Sequence, residues 1–287
     1  RDSLYPAYSF VKIPHAVSYE VEITDEEPEN PDGCEPSVHR ISQGIVTIPE
    51  LFDELPRQGT VWWRVRGLDE NGGPVGVWSE AEKIVNDPAE NWETGILGDS
   101  ISHGGGRMSY SPADWPYNYA YYLDFPTINM SRSGDKTDDL LRRFDADVLP
   151  FHVRYLLIMG GTNNLRCGGT AEKVISDLEA LQEKCRSGGI EPVLLTIPPI
   201  APDRIWKYYQ QPTAENWKAE FDKVNGWIRT QTHIDTAAPF AMYEDMPENL
   251  AADGLHPDKE AKEKMGKIIN EKFPEIRKKI SETKIQK

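Results

Sequence analysis

The 287-residue sequence has few cysteines, no long apolar segment and a shortage of basic residues. Its three cysteines, Cys34, Cys167 and Cys185, are scattered and form no CxxC pair, so they predict no disulfide framework. No apolar run reaches the roughly 18 residues that a membrane-spanning helix needs. Lysine and arginine number 32 against 47 aspartate and glutamate, a formal net charge of −15. A chain this acidic is repelled by a phosphate backbone, which argues against nucleic acid as a partner.

The cysteine content leaves the cellular compartment open. The chain begins at Arg1 rather than at methionine, as it would after removal of a leader peptide or a tag. We expect a bacterial protein, with an extracellular or periplasmic location favoured somewhat over a cytoplasmic one. The oligomeric state is also left open by the sequence.

The charge is unevenly distributed and predicts two units. Residues 1–88 carry 7 basic and 17 acidic residues, whereas the rest of the chain carries 25 and 30. A length of 287 residues suffices for one large core or two smaller ones. We predict one domain at 1–88, a linker around 86–90 and a second domain at 92–287.

The first 88 residues predict a small all-β sandwich. Apolar and polar residues alternate at 17–23 and again at 61–66, the period-two pattern of a half-buried strand, and turn-forming clusters separate such runs. The segments 62–69 and 76–80 resemble the end of a fibronectin type III domain. We expect the exposed face of this unit to be acidic and to lack an aromatic ladder, which favours a spacer over a sugar-binding module.

From residue 92 onwards, the pattern changes to strands alternating with helices. Nearly continuous apolar runs at 94–97, 154–159 and 192–197 predict parallel strands that are covered on both faces. Helical spacing predicts a helix from an N-cap at Thr170 to a stop at 188–189. Two further helices are marked by Trp217, Phe221, Val224 and Ile228, and by Ala261, Met265 and Ile268. This rhythm predicts a three-layer α/β domain with a mostly parallel sheet.

Polar motifs follow three predicted strands and precede the last helix. Since ligands of open α/β sheets bind beyond the carboxyl ends of the strands, these motifs should face one cleft. They contain Ser100 after the strand at 94–97, Gly134 after a strand at 125–129, Asn163 after the strand at 154–159, and Asp253 and His256 before the final helix. A serine hydroxyl becomes a nucleophile when an imidazole takes its proton and a carboxylate orients that imidazole. Ser100, His256 and Asp253 therefore predict a hydrolase.

Four short blocks of the sequence, taken in order, resemble those of the SGNH (GDSL) hydrolases. They are Gly98-Asp99-Ser100, Ser133-Gly134-Asp135, Gly160-Gly161-Thr162-Asn163 and Asp253-Gly254-Leu255-His256. The resemblance runs from residue 92 to the C-terminus and implies a flavodoxin-like α/β/α sheet and a serine esterase. It implies Ser100 as nucleophile, and His256 and Asp253 as base and acid. It also implies Ser100, Gly134 and Asn163 as oxyanion donors. Asn164 stands where the third block often ends in aspartate, which puts a charge-dependent supporting role there in doubt.

Each motif also has a plainer interpretation. Serine, glycine and asparagine are common in turns, and Asp253 and His256 would equally suit a helix cap and a surface histidine. The remaining histidines show no metal-ligand spacing. The glycine run at 104–106 matches neither a phosphate-binding loop nor a dinucleotide fingerprint, so it predicts a flexible loop at the edge of the cleft. We expect no metal and no cofactor.

Aromatic residues indicate what the substrate could be. They follow the nucleophile at 110–119 and recur at 206–209, in a predicted polar loop. Aromatic faces hold sugar rings, although such side chains more often fill a core. Trp206 and Tyr209 are the preferred substrate contacts, and His103 is expected to line the cleft.

Because a predicted β-sandwich precedes the SGNH-like domain, the chain resembles SGNH carbohydrate esterases. That resemblance implies removal of O-acetyl or other short acyl groups from a carbohydrate or another small ester. One alternative is a lipase, a lysophospholipase or a thioesterase. Another, from a different class, is a glycan-binding protein whose esterase site is vestigial.

Overall fold

The computed structural model describes residues 3–105 and 109–285. Contacts within the chain divide it into two compact units, 1–90 and 91–287, which are described separately below. The predicted loop at 104–106 lies partly outside the described residues, because Gly106 is not among them. In the described parts of the chain, no helix has both the length and the apolar character that crossing a bilayer requires.

The N-terminal unit consists of two antiparallel sheets. In the larger sheet the central strand β2 pairs with β3 on one side and with β5 on the other, and β5 also pairs with β6 and β7. The smaller sheet joins β1 to β4. The strands are β1 (Ala7–Ser9), β2 (Ser18–Thr24), β3 (Arg40–Val46), β4 (Glu50–Phe52), β5 (Gly59–Leu68), β6 (Pro74–Val75) and β7 (Glu82–Asn86).

One face of β2 forms the apolar core of this unit. Tyr19, Val21 and Ile23 are at most 4% exposed, and they belong to a cluster that includes Tyr8 from β1 and Val65 from β5. The alternation predicted from the sequence is therefore right for the inward side of β2. Because the cluster draws on both sheets, its burial holds them together.

The prediction that β2 is only half-buried is wrong. Glu20 is 6% exposed and Glu22 is fully buried. Arg64 donates to Glu22 at 2.5 Å, and Arg66 donates to Glu20 at 2.6 Å. The indole of Trp78 covers this layer, with its ring centre 4.7 Å from the Arg64 guanidinium. Alternation reports hydrophobicity alone, so it cannot detect opposite charges that pair across neighbouring strands and become buried.

The C-terminal unit contains a parallel sheet with the strand order β9-β8-β10-β11-β12. Its strands are β8 (Thr94–Gly98), β9 (Ile128–Asn129), β10 (Tyr155–Met159), β11 (Glu191–Leu195) and β12 (His233–Ile234). This is the flavodoxin-like order, in which the chain leaves the interior strand β8 for the edge strand β9 and returns through β10 to build the other side. The predicted α/β/α class is confirmed.

Helices cover this sheet. Helices α2, α4 and α6 pack side by side, and α7 packs against the 3-10 segment Tyr119–Tyr122 and against β12. The helices are α1 (Ser100–His103), α2 (Thr137–Asp147), α3 (Thr162–Arg166), α4 (Ala171–Ser187), α5 (Pro202–Tyr209), α6 (Trp217–Ile228) and α7 (Lys259–Ile285). The predicted start of α4 is confirmed, since the Thr170 hydroxyl accepts the N–H of Lys173 at 3.3 Å.

Three details of the predicted elements are wrong. The strand predicted at 125–129 is shortened to Ile128–Asn129, because Pro126 has no N–H to give to a ladder. The predicted polar loop after β11 contains helix α5, which has Pro202 at its first position, where proline is well suited to start a helix. On α7 the fully buried isoleucine is Ile269 rather than Ile268.

Gly266 lets α7 approach its neighbour closely, and this generates a prediction. A Cβ at this position would lie 2.7 Å from Tyr122 Cβ and 3.0 Å from the Tyr119 carbonyl, whereas a Cβ on Gly226 of α6 would meet nothing within 4 Å. We expect Gly266→Ala to lower the free energy of unfolding by about 1–3 kcal/mol through overpacking. Gly226→Ala should raise it by roughly 0.5–1 kcal/mol through helix propensity. Urea unfolding followed by far-ultraviolet circular dichroism measures both, and equal stability of the two variants would contradict the close packing.

Candidate active site

Ser100 is held at the first position of a short helix directly after β8. Asp99 caps this helix, since its Oδ1 accepts the N–H of Ile101 at 2.9 Å and its backbone oxygen accepts from Ser102 and His103. The N–H of Ser100 is not used by this cap, and it is one of the donors that a helix leaves unsatisfied in its first turn. A hydroxyl and a spare amide hydrogen therefore stand together at the carboxyl end of β8.

Helix α1 is only four residues long, too short to be stable by itself. Side chains from other segments bind its last carbonyl groups. Asn129 donates to Ser102 O at 2.9 Å and Asn118 donates to His103 O at 3.1 Å, while the buried Lys262 of α7 donates to Ile101 O. These bonds fix the turn that carries Ser100.

Asp253 and His256 lie beside Ser100. The Ser100 hydroxyl is 3.0 Å from His256 Nε2, and His256 Nδ1 is 2.7 Å from Asp253 Oδ2. The carboxylate partner requires a proton on Nδ1, which leaves Nε2 free to accept the serine proton. The three side chains belong to residues that are 6–8% exposed, so the site is small and largely shielded from water. This arrangement can deprotonate a serine as it attacks a carbonyl carbon.

A glycine makes the acid-base turn possible. Gly254 has a φ of +78°, and a Cβ there would lie 2.5 Å from the Ala201 carbonyl. The Ala201 N–H donates to the Gly254 carbonyl at 2.7 Å, so the segment before α5 lies directly against the turn. Only glycine combines this φ with so close an approach.

Hydrogen bonds keep Asp253 ionised despite its burial. Its Oδ1 accepts the N–H groups of Leu255 and His256, both at 2.8 Å, while its Oδ2 accepts from His256 and from the hydroxyl of Tyr209, the latter at 2.5 Å. Burial alone would raise the pKa of Asp253, but the hydrogen bonds and charge of His256 and the Tyr209 bond outweigh it and lower the pKa to about 2. The carboxylate thus stays negative across the ordinary pH range.

Gly134 sits in a turn that is tied to the end of β8. The N–H of Arg132 donates to Gly98 O at 3.1 Å, which brings the turn beside Ser100. Gly134 has a φ of +91°, and a Cβ there would meet nothing within 4 Å. The glycine therefore serves the backbone conformation, and its side faces open space.

His103, predicted to line the cleft, instead supports that turn. The residue is 3% exposed, and its Nδ1 lies 2.7 Å from Ser133 Oγ and 3.2 Å from the Ser133 N–H. The Ser133 hydroxyl also donates to the Gly105 carbonyl, so Ser133 ties the turn to the residues that follow α1. A contact between His103 and substrate stays a prediction.

Asn163 lies on α3, just past the end of β10. Its Oδ1 accepts from Arg166 Nε at 3.2 Å, and its Nδ2 donates to Asp135 O at 3.0 Å. These two bonds fix the amide orientation and use one of its two N–H groups, which leaves the other to bind a ligand. The neighbouring Asn164 accepts the Thr137 N–H at 3.0 Å and so caps α2, a role that an uncharged amide fulfils.

Sequence reasoning missed Arg143, which joins three parts of the site. It donates to Asp135 at 2.6 Å, to Asp147 at 3.0 Å and to Met130 O at 2.6 Å, and it is 9% exposed. The signal was present, because Arg143 stands among Leu140, Phe144 and Asp147 at helical spacing and thus on the buried face of α2. A buried guanidinium with several acceptors typically organises the loops around it.

A buried pair of ionisable groups lies close to Ser100. Asp99 and Lys262 are each 1% exposed. Burial raises the pKa of Asp99 to about 6 and lowers the pKa of Lys262 to about 7, in each case by disfavouring the charged form. Within the described residues, Asp99 Oδ2 has no hydrogen-bond partner. Lys262 was also missed, although it follows Ala261 and precedes Met265 on the apolar face of α7.

The predicted aromatic contacts are divided between two roles. Trp206 is 53% exposed on α5, so its ring is available to a ligand. Tyr209, at the end of the same helix, directs its hydroxyl to Asp253. Among the residues that the structure describes, no group of three or more histidine, cysteine, aspartate or glutamate side chains could hold a metal ion.

Comparison with known proteins identifies similar chains. A model of the GDSL-like lipase/acylhydrolase family matches residues 96–264. The chain is 29% identical over 171 residues to thioesterase 1/protease 1/lysophospholipase L1 of Escherichia coli K12. The matched region covers 58% of this chain and 76% of that protein.

Solved structures of the same kind share the fold. A GDSL-like lipase from Bacteroides thetaiotaomicron superposes with a TM-score of 0.52 at 18% identity and covers 64% of this chain and 87% of its own. A lipase/acylhydrolase from Enterococcus faecalis superposes with a TM-score of 0.50 at 25% identity. The match covers 63% of this chain and 94% of the Enterococcus chain.

The buried Lys262 predicts a specific pH dependence of stability. Its folded pKa of about 7 lies below the unfolded value of 10.5, so between these values the unfolded chain binds one more proton than the folded chain. Stability should therefore rise with pH through this window, by up to about 1.4 kcal/mol per pH unit. In Lys262→Met this contribution disappears, whereas Lys264→Met, which alters an exposed lysine, should retain it.

Urea unfolding at a series of pH values measures these slopes. Other groups that titrate in the window are common to all three proteins and cancel in the comparison. Identical slopes in the wild type and in Lys262→Met would show that Lys262 titrates normally.

Proposed function

Because the chain belongs to the GDSL-like lipase/acylhydrolase family, we propose that it hydrolyses esters with Ser100 as nucleophile, His256 as base and Asp253 as the acid that orients His256. Membership of this family implies that the chain is an ester hydrolase. The observation that carries the assignment of residues is the unbroken pair of contacts from Ser100 Oγ to His256 and from His256 to Asp253, at 3.0 and 2.7 Å.

The proposed reaction proceeds in two halves. His256 Nε2 takes the Ser100 proton as Oγ attacks the ester carbonyl, and it then returns that proton to the leaving alcohol. The resulting acyl-serine is hydrolysed by a water molecule that His256 activates in the same way. Throughout both halves, the Asp253 carboxylate stabilises the positive charge that forms on the imidazole.

Three donors are proposed for the oxyanion that forms at each tetrahedral intermediate. They are the backbone N–H groups of Ser100 and Gly134 and the free N–H of the Asn163 amide. Support comes from the anchoring of each donor, since the Asp99 cap, the Arg132 bond to β8 and the Arg166 bond restrict their motion. Donors that are already oriented need no rearrangement when the negative charge appears.

Substitutions at these residues test the proposed chemistry. Ser100→Ala should abolish turnover of p-nitrophenyl acetate. Asn163→Ala should lower kcat by roughly 100- to 1000-fold, the usual effect of losing one oxyanion donor, with little change in KM. Asn249→Ala alters an exposed asparagine of the same unit and serves as the matched control. Activity retained by Ser100→Ala would refute the nucleophile, and a normal kcat in Asn163→Ala would remove that donor.

For the substrate, we propose the O-acetyl or other short acyl esters of carbohydrates. Helix α5 carries Trp206 and Tyr208, which are 53% and 49% exposed, within one turn of Tyr209 and its bond to Asp253. Exposed aromatic faces so near an acyl-transfer site suit the apolar faces of sugar rings. The antiparallel unit at the N-terminus would be consistent with an enzyme that acts on a polymer.

A second candidate is an acyl thioesterase or lysophospholipase. It is favoured by one observation, the 29% identity to the Escherichia coli protein whose name includes both activities. Those substrates carry fatty acyl chains, so the two candidates differ in the length of acyl group that the site must accept.

Acyl-chain length and labelling separate the candidates. We expect kcat/KM to be highest for p-nitrophenyl acetate and to fall as the acyl chain lengthens, with acetate released from acetylated xylan. A preference for long chains would favour the second candidate instead. A fluorophosphonate should label Ser100 stoichiometrically, and failure to label it would support a vestigial site in a glycan-binding protein.

The same assay tests the N-terminal unit, which we propose is a fibronectin type III-like spacer at 1–88. Its paired glutamates and arginines fill the layer that would otherwise be an open acidic face. A chain that begins at residue 91 should keep its kcat/KM on the small ester and on the polymer. A selective loss on acetylated xylan would indicate a sugar-binding module.

A further inference from the structure

Tyr209 completes the hydrogen bonding of the catalytic acid. We propose that Tyr209 is a positioning residue that holds the Asp253 carboxylate in register with His256, so that the reacting unit consists of four side chains. The inference rests on the proposed function and deepens it, because it assigns to the acid a partner that the sequence motif does not contain. It also gives Tyr209 a task other than the substrate contact expected from the sequence.

The contact geometry identifies the acceptor of the tyrosine proton. The Tyr209 hydroxyl is 2.5 Å from Asp253 Oδ2 and 3.5 Å from His256 Nδ1. Since the proton of Nδ1 is directed to the carboxylate, the tyrosine has one good acceptor, and that acceptor is Oδ2. The tyrosine and histidine rings meet edge to face, 6.3 Å apart at 88°, so the phenol reaches past the imidazole edge to the acid.

The carboxylate bonds within the described residues show what the tyrosine adds. Two backbone N–H groups, from Leu255 and His256, occupy Oδ1, and the His256 ring occupies one lone pair of Oδ2. Tyr209 fills the remaining position. Without it, Asp253 would keep a buried, unsatisfied lone pair directed towards the cleft, where it would draw in water or turn away from His256. The three bonds from Leu255 and His256 position the carboxylate. The fourth bond, from Tyr209, prevents Oδ2 from rotating away from His256.

The roles of donor and acceptor in this contact are fixed. Burial, the hydrogen bond to Asp253 and the Asp253 charge all raise the pKa of Tyr209 far above that of a free phenol. The phenol therefore keeps its proton wherever a serine esterase works. Since Asp253 is ionised and the Tyr209 phenol is protonated, Tyr209 is the donor and Asp253 is the acceptor of this bond.

The chain delivers Tyr209 to this position through the same turn that carries the acid. Helix α5 begins next to Gly254, because Ala201 N–H donates to the Gly254 carbonyl and Arg204 donates to Ala251 O at 3.3 Å. Its last residue is Tyr209, followed by Gln210 with a φ of +54°. The start of α5 is thus hydrogen-bonded to the turn that carries Asp253 and His256. Its last residue, Tyr209, donates its hydroxyl to Asp253.

Removal of the hydroxyl alone tests the proposal. Tyr209→Phe should lower kcat for p-nitrophenyl acetate about 10-fold, the scale of a lost hydrogen bond to a charged group, and leave KM unchanged. Tyr243→Phe is the matched control, because that tyrosine of the same unit is 41% exposed and has no part in the proposed site, and its kcat should stay within twofold. Titration of active sites with a fluorophosphonate corrects each kcat for any unfolded protein.

A double-mutant cycle separates positioning from every other role. In an Asp253→Ala background the tyrosine has no carboxylate to hold, so adding Tyr209→Phe should have no further effect on kcat. Equal, additive losses in both backgrounds would overturn the proposal, as would a normal kcat in the single variant. A raised KM with an unchanged kcat would return Tyr209 to the role of substrate contact.

Failure of the underlying function is recognised separately. If Ser100→Ala or Asp253→Ala retained full turnover, the triad itself would be wrong. If both lost turnover while Tyr209→Phe behaved as the wild type, only the inference about Tyr209 would fall.

Discussion

The structure of the C-terminal unit depends on keeping Ser100 and His256, 156 residues apart in the chain, within 3.0 Å of each other. The flavodoxin-like order of the sheet makes this possible, because it places β8 beside β10 in the interior of the sheet and opens a crevice at the carboxyl ends of these two strands. Ser100 enters that crevice directly from β8. His256 enters from the other side, on the turn that leads into α7. Neither element sets the contact alone, so packing between them has to be exact to fractions of an ångström.

The supports of this contact are buried polar side chains more than apolar ones. Lys262, Asn129 and Asn118 bind the carbonyl groups of α1, and Arg143 binds the segment between β9 and α2. Buried charges of this kind destabilise a fold unless each one finds a partner, so they suit a site that needs orientation more than strength. Among the described residues, Asp99 Oδ2 has no hydrogen-bond partner although a buried lysine lies nearby, so here the buried charges are least well compensated.

The sequence predicted the fold class, the main strands and helices, and four motifs that the structure gathers at one edge of the sheet. These signals are local, since apolar runs, caps and short blocks can be read along the chain. What it did not predict depends on contacts between distant residues. The burial of Glu22 requires Arg64 on the neighbouring strand, and the alternating pattern carries no information about such pairs.

The errors around α5 have a related cause. The segment is only eight residues long and Ile205 is its one buried side chain, so its apolar periodicity is too brief to predict a helix, and Pro202 alone marks its start. In the predicted loop, the Tyr209 ring would be available to a ligand. The helix instead turns the hydroxyl inward to the acid. Lys262 and Arg143 were more accessible to sequence reasoning, since a charged residue inside an apolar stripe is itself a signal of an interior partner.

Helix α7 has one consequence for how the protein would lose activity. It begins three residues after His256, carries Lys262 to the base of the nucleophile turn, and is fastened further along by Asn270, which bonds Tyr122 O at 2.9 Å and Asp124 N at 3.0 Å. Detachment of α7 from the rest of the unit would displace His256 and would at the same time remove the Lys262 bond that supports the turn of Ser100. We therefore expect catalytic activity to be lost when α7 detaches, during mild heating and before the sheet unfolds.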